Sequence, residues 1–175
     1  MEETEKNNIE PRESFSWDAS SFFRGLTGRN RLARARGFAF HRVTGLEGMQ
    51  EAVKGMTRET AFVAVDLDSP GYVELVNSPK TRRVTTVFLF MRHGAQDMEV
   101  RDRCLGIMRE IFRQFMSVLV MERTRLQQKK IYIDTRISFT EVDRYAFSGG
   151  ACAYFQVAVD TATDLRYNAE EWEDE

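Results

Sequence analysis

Asp97–Gln128, DMEVRDRCLGIMREIFRQFMSVLVMERTRLQQ, is the stretch that decides the fold. At about 100° per residue, Met98, Leu105, Met108, Ile111, Phe112, Phe115, Met116, Val118 and Leu119 share one arc of roughly half the circumference. Asp102, Arg109, Glu110, Arg113, Gln114 and Ser117 take the opposite arc. Asp97 has N-cap chemistry, and Glu99 and Asp102 face the positive end of the helix dipole. Glu99 and Arg103 add an i,i+4 pair. At about 1.5 Å per residue such a helix runs for about 45 Å, enough to cross a whole sheet.

The segments on either side supply that sheet. Thr60–Leu67 (TAFVAVDL) alternates at Val63, Val65 and Leu67 and reads as a strand, followed by turn chemistry at Asp68–Gly71 (DSPG). Tyr72–Val76 has the composition of a returning strand, and Val84–Met91 (VTTVFLFM) suits a central one. Beyond the helix, Ile131–Glu141 alternates strictly, with Ile131, Ile133, Ile137 and Phe139 on one side. Ser148–Gly150 breaks the chain, and Ala151–Val159 repeats the pattern with Ala153, Phe155, Val157 and Val159 inward. The connection of about ten residues between these two amphipathic segments predicts an antiparallel hairpin.

The sequence thus predicts an α+β domain. Its mostly antiparallel sheet has four or five strands, with the long helix and a short N-terminal helix packed on one face. That short helix is Leu46–Gly55, with Leu46, Met49 and Val53 on one side. The other sheet face carries Tyr132, Asp134, Arg136, Tyr154 and Gln156, and is either solvated or covered by a neighbouring subunit.

The chain has 175 residues and a net charge of −2, which conceals a division. Residues 1–18 hold six acids and two bases, residues 165–175 five acids and one base, and residues 19–164 hold 16 acids and 22 bases. Segment 1–13 reads as a disordered acidic N-terminus, 14–164 as one domain, and 165–175 as an acidic tail. The first residues lack the pattern of a signal peptide, and no apolar run reaches membrane-spanning length. Cys104 and Cys152 read as small core residues, which suits a reducing interior.

Within the domain, 14–45 reads as an aromatic and arginine-rich arm. Phe15, Trp17, Phe22 and Phe23 cluster around a candidate N-cap at Asp18 or Ser20. Ala19–Leu46 contains no acid but has Arg24, Arg29, Arg31, Arg34, Arg36 and Arg42, and Gly25, Gly28 and Gly37 argue for a loop over a long helix.

The succession LEGMQEAVKG, TAFVAVDL, RVTTVFLFM, the 97–128 helix, IYIDTRISFTEV and GGACAYFQVAVDT resembles phage tail-terminator, or tail-completion, proteins over roughly residues 46–161. The resemblance implies a homo-oligomeric ring, a hexamer, that caps the tail tube, docks on the neck or connector, and has no enzyme activity. It places the protein at the tail–neck junction of the virion, and in the bacterial host's cytoplasm during assembly. The front, 14–42, and the acidic end NAEEWEDE depart from that pattern.

Other residues invite chemistry. Asp66 and Asp68 end an apolar strand, as paired aspartates do in metal-dependent phosphotransferases, but no companion lysine and acidic pair accompanies them and the following Ser69–Gly71 reads as a solvated turn. His41 and His93 have no second ligand at helical spacing and read as solvated strand-edge residues. No cofactor or metal site is expected. Arg24–Arg42 with Phe22, Phe23, Phe38 and Phe40 suits either nucleic acid, through phosphate contacts and stacking, or the acidic termini of a neighbouring subunit. The modest total charge favours the subunit. Trp172, among Glu170, Glu171 and Glu173, reads as an anchor that docks the tail on the domain or a neighbour.

Overall fold

Phe38–Val43 forms β1, the first of seven strands in one sheet; the computed structural model describes residues 16–56, 58–94, 98–142 and 149–172. The others are β2 (Ala61–Asp66), β3 (Gly71–Val73), β4 (Lys80–Arg92), β5 (Ile131–Ile133), β6 (Ser138–Glu141) and β7 (Gly150–Ala162). The helices are α1 (Ala19–Arg29), α2 (Arg31–Ala35), α3 (Gly45–Gly55) and α4 (Met98–Gln128), with a short 3-10 turn at Ala169–Glu171. The strand order is β1-β2-β4-β7-β5, with β3 continuing beside β4 where β2 ends and β6 pairing β7. All pairs are antiparallel except β1–β2. The α+β expectation holds, with more strands than expected.

β4 and β7 form the spine, paired from Lys80–Ala162 at one end to Arg92–Gly150 at the other. These are called below the Lys80 end and the Arg92 end. α4 lies over β4, β7 and β5, and its length matches a strand of 13 residues at about 3.3 Å each. Leu105, Met108, Ile111, Phe115 and Leu119 are buried as the helical arc requires, and Phe112, Met116 and Val118 are partly buried against the same core. Met98, placed in that arc by the wheel, is exposed. Lys130, at φ 58°, reverses the chain from α4 into β5.

Three expectations are corrected. The arm 14–45 is α1, α2 and the edge strand β1. Gly25 and Gly28 each weaken α1 by about 1 kcal/mol relative to alanine, but Phe23 and Leu26 are fully buried, and burial of that kind is worth about 1.5–3 kcal/mol per side chain. The Phe23 ring sits 6.0 Å from that of Phe115 and 5.5 Å from that of Phe155, which welds α1 to α4 and β7. Asp18 is the N-cap, accepting from Ser21 N at 2.9 Å.

The short helix α3 packs on the sheet face opposite α4. Met49, Met56, Phe62, Ala64, Phe88, Phe90 and Cys152 form a second core there, with the Phe62 and Phe90 rings stacked at 5.1 Å. β2, apolar on both faces, demands cover on both, and α3 provides the second. Leu46 is left exposed.

The segment 131–141 is two strands. Between Ile133 (opposite Val159) and Ser138 (opposite Gln156), four residues, 134–137, face two, 157 and 158. The two extra residues preserve the alternation, so Phe139 still faces α4 and its ring lies 4.7 Å from Phe112. Asp134 holds this bulge by accepting from Arg136 N at 3.1 Å. The expected N-cap Asp97, Phe15, the acidic segment 1–13 and Glu173 lie outside the described residues.

Candidate interaction surfaces

Arg24, Arg29, Arg31, Arg34, Arg36 and Arg42 are all exposed. None of the six forms a salt bridge among the described residues, whereas Arg109 pairs with Glu141 at 2.5 Å and Arg113 with Glu110 at 2.6 Å. The fold explains the difference: α1 and α2 turn Phe23, Leu26 and Ala33 to the core, and their outward positions, free of acids, carry guanidinium groups. Arg24 lies over the Phe40 ring at 5.2 Å, a cation–π contact. α2 leads to the Arg92 end, since Phe38 lies in register with Ala61, Met91 and Ala151. Arg36 and Arg103 stand close enough to Cys104 to oppose the rise that burial imposes on its thiol pKa.

The second sheet face is half covered. α3 shields its β1–β2 side; toward β5 it is open and polar. Tyr132 and Asp134 lie there, and Tyr154 borders the second core, its ring 5.9 Å from Phe88. At the centre is Arg82, which sequence reasoning missed. It donates to the Asp134 carboxylate and lies 3.7 Å from that of Asp160. Its signal was its even position in β4, which places it in register with Asp160. Lys80 Nζ lies over the Tyr132 ring at 4.8 Å, and Gln156 Nε2 donates to Thr86 Oγ1 at 3.3 Å. The Asp134 carboxyl is held below the usual carboxylate range, chiefly by the backbone N–H of Arg136 and further by Arg82, against the opposing effect of burial. Arg136, in the bulge, is exposed. The charges of Arg82, Asp134 and Asp160 are spent on one another.

At the Lys80 end, exposed apolar side chains gather. Tyr72, Val73, Leu75 and Val76 project from the β3–β4 hairpin, with Leu75 85% exposed. Leu165, Tyr167 and Trp172 follow β7, and Thr163 N donates to Pro79 O at 3.0 Å, which sets the tail beside the hairpin. Val120 and Met121 are exposed on the last third of α4, which descends to the same end. Of the two dockings expected for Trp172, on its domain or on a neighbour, the first is not seen: its indole is 67% exposed and stacks on Tyr167 at 6.5 Å. Tyr167 is five residues upstream, so the contact is local to the tail.

Of the candidate catalytic groups, the Asp66 and His41 side chains have hydrogen-bond partners. Asp66 Oδ1 accepts from Gly45 N and Asp68 N, both at 3.0 Å, and so fixes the turns after β1 and β2. Among the described residues no group of three His, Cys, Asp or Glu side chains is placed to hold a metal ion. His41 lies on the edge strand β1 and is partly exposed; its Nε2 meets Glu59 Oε2 at 2.7 Å, and its ring stands edge-on to Phe62. His93 Nδ1 lies 2.7 Å from Gly94 O. A crevice of about 470 Å³ opens between the N-terminus of α1 and the Lys80 end of the sheet. It is lined by Asp18, Arg42, Asp66, Arg83 and Asp164 among threonines and serines. No helix among the described residues is long and apolar enough to cross a membrane. The chain matches no protein-family model and no curated protein sequence.

Proposed function

We propose that this chain is a non-enzymatic virion assembly protein of a tailed phage or prophage. It closes into an oligomeric ring at the tail–neck junction, as tail-terminator proteins do, with the tail tube on one side and the neck or connector on the other. The observation that carries the reading is the gathering of exposed apolar residues at the Lys80 end, on the hairpin, the tail and α4. Patches of this kind on a small domain mark surfaces that another protein covers. The polar half of the sheet, where Arg82 pairs with Asp134 and Asp160, supplies a second contact surface. The mechanism is geometric: a closed ring seated on the growing tube removes the surface on which the next subunit would add.

Light scattering after size exclusion, at low and high salt, tests this. A mass near six times the 20.3 kDa chain supports the ring. A strict monomer at every concentration and salt counts against it.

A second reading is favoured by the six exposed arginines, which form no ion pair among the described residues: a nucleic-acid-binding module using residues 24–42. DNA affinity that falls steeply with salt, and falls again on replacing Arg31 and Arg34, would support it; salt-independent or absent binding would remove it.

A further inference from the structure

We infer that the acidic aromatic tail of one copy, Leu165–Trp172, docks on the Arg31–Arg36 surface of the next copy. This rests on the ring reading and names the contact that would build it.

The two surfaces are complementary in charge and in kind. The tail, residues 165–175, carries five acids and one base, and its Arg166 is taken up by Asp164 at 2.6 Å. Its exposed aromatic pair, Tyr167 and Trp172, has no ring of the domain body within stacking range among the described residues. The opposite surface offers Arg31, Arg34 and Arg36, exposed and without salt bridges among the described residues. Guanidinium groups accept both partners the tail offers, carboxylates in forked hydrogen bonds and an indole on their flat face. The contact of Arg24 with Phe40 is an example of the second within the same chain.

Position decides between a contact within one chain and one between copies. The tail leaves β7 at the Lys80 end, whereas Arg34 and Arg36 stand at the Arg92 end, beside the row through Phe38, Met91 and Ala151. From that row to Ala162 is eleven strand positions, about 36 Å. The tail does not stretch toward it: Asn168 Oδ1 accepts from Glu170 N at 3.2 Å, and the chain folds back until Trp172 meets Tyr167. In a neighbour set end to end, the arginines come to the tail. Such a contact joins two different surfaces, so each copy donates one tail and accepts one. A heterologous contact of this type propagates, and closes into a ring where the rotation permits.

The test uses two full-length variants changed only at exposed positions. The tail variant is Glu170→Gln, Glu171→Gln, Trp172→Ala; the arginine variant is Arg31→Glu, Arg34→Glu, Arg36→Glu. Each alone is expected to lose the oligomer and to run near 20.3 kDa in light scattering. Mixed, they are expected to give a dimer of twice that mass, because the arginine variant still donates a tail and the tail variant still accepts one. If the tail variant keeps the wild-type assembled mass, the inference is overturned and the ring reading stands. If the unaltered protein is itself a monomer throughout, the ring reading falls and takes this contact with it. If both variants are monomeric and their mixture stays so, the tail and the arginines are not partners and the inference is overturned.

Discussion

Asn30 donates from Nδ2 to Gln114 Oε1 at 2.7 Å, a bond between residues 84 positions apart. The same side chain accepts from Ala33 N at 2.8 Å as the N-cap of α2, while its own backbone N–H closes α1 on Leu26 O. One residue thus ends one helix, starts the next and ties the arginine-bearing surface to the middle of α4. Asn30→Ala removes the cap and the cross-link together and is expected to cost about 2 kcal/mol in urea unfolding. Asn30→Ser keeps a capping oxygen but does not reach Gln114, and is expected to cost about half as much. Equal losses would show that the cap contributes nothing, and no loss in Asn30→Ser would show the same of the Gln114 bond.

Gly71 opens β3 against Arg82 and Arg83, and a methyl group there would run into the Arg82 carbonyl oxygen. Gly71→Ala is expected to break the β3–β4 pairing and loosen the apolar hairpin while leaving both cores intact. Hydrogen exchange would show faster amides at Glu74 and Val84, which donate to Lys80 O and Pro70 O across the pair, with those of Val87 and Leu89 unchanged. Protection retained at Val84 would contradict this.

The Asp134 carboxyl, held below 3.8 by Arg136 N and by Arg82, links stability to pH. A depressed carboxylate stabilises the fold above its unfolded pKa and loses that contribution as pH falls through its folded one. Asp134→Asn is therefore expected to destabilise by about 0.5–1 kcal/mol near neutrality, and the deficit should shrink as pH drops below about 4. A deficit constant with pH would assign the effect to packing and not to charge.

Burial pushes the Cys152 thiol up to about 12. Cys104, at the margin of the first core with Arg103 and Arg36 nearby, is raised less securely. At neutral pH iodoacetamide is expected to label Cys104 faster than Cys152 in the native chain, and both rapidly in urea, since only the thiolate reacts. Equal native rates would mean that the second core opens as readily as the edge of the first.

Periodicity determined much of this protein. The arc from Leu105 to Leu119 needs no tertiary context to point inward, because side chains three and four apart share a face on any α-helix. The alternation of Ala153, Phe155, Val157 and Val159 likewise sets the inner face of β7. The division of charge between acidic ends and basic middle, and the capping role of Asp18, are equally local.

Tertiary structure decided what local pattern leaves open. Gly25 and Gly28 argue against a helix, and only the pocket between Phe115 and Phe155 that receives Phe23 outweighs them. Nothing in Gly45–Gly55 says which sheet face it covers; the apolar Phe62–Phe90 side of β2 and β4 does. The pairing of Arg82 with Asp134 and Asp160 arises from strand register across 52 and 78 residues, which no short window of sequence contains. The separation of the aromatic tail from the arginines is likewise a fact of three dimensions: β7 carries the tail to one end of the sheet, and α2 carries the arginines toward the other.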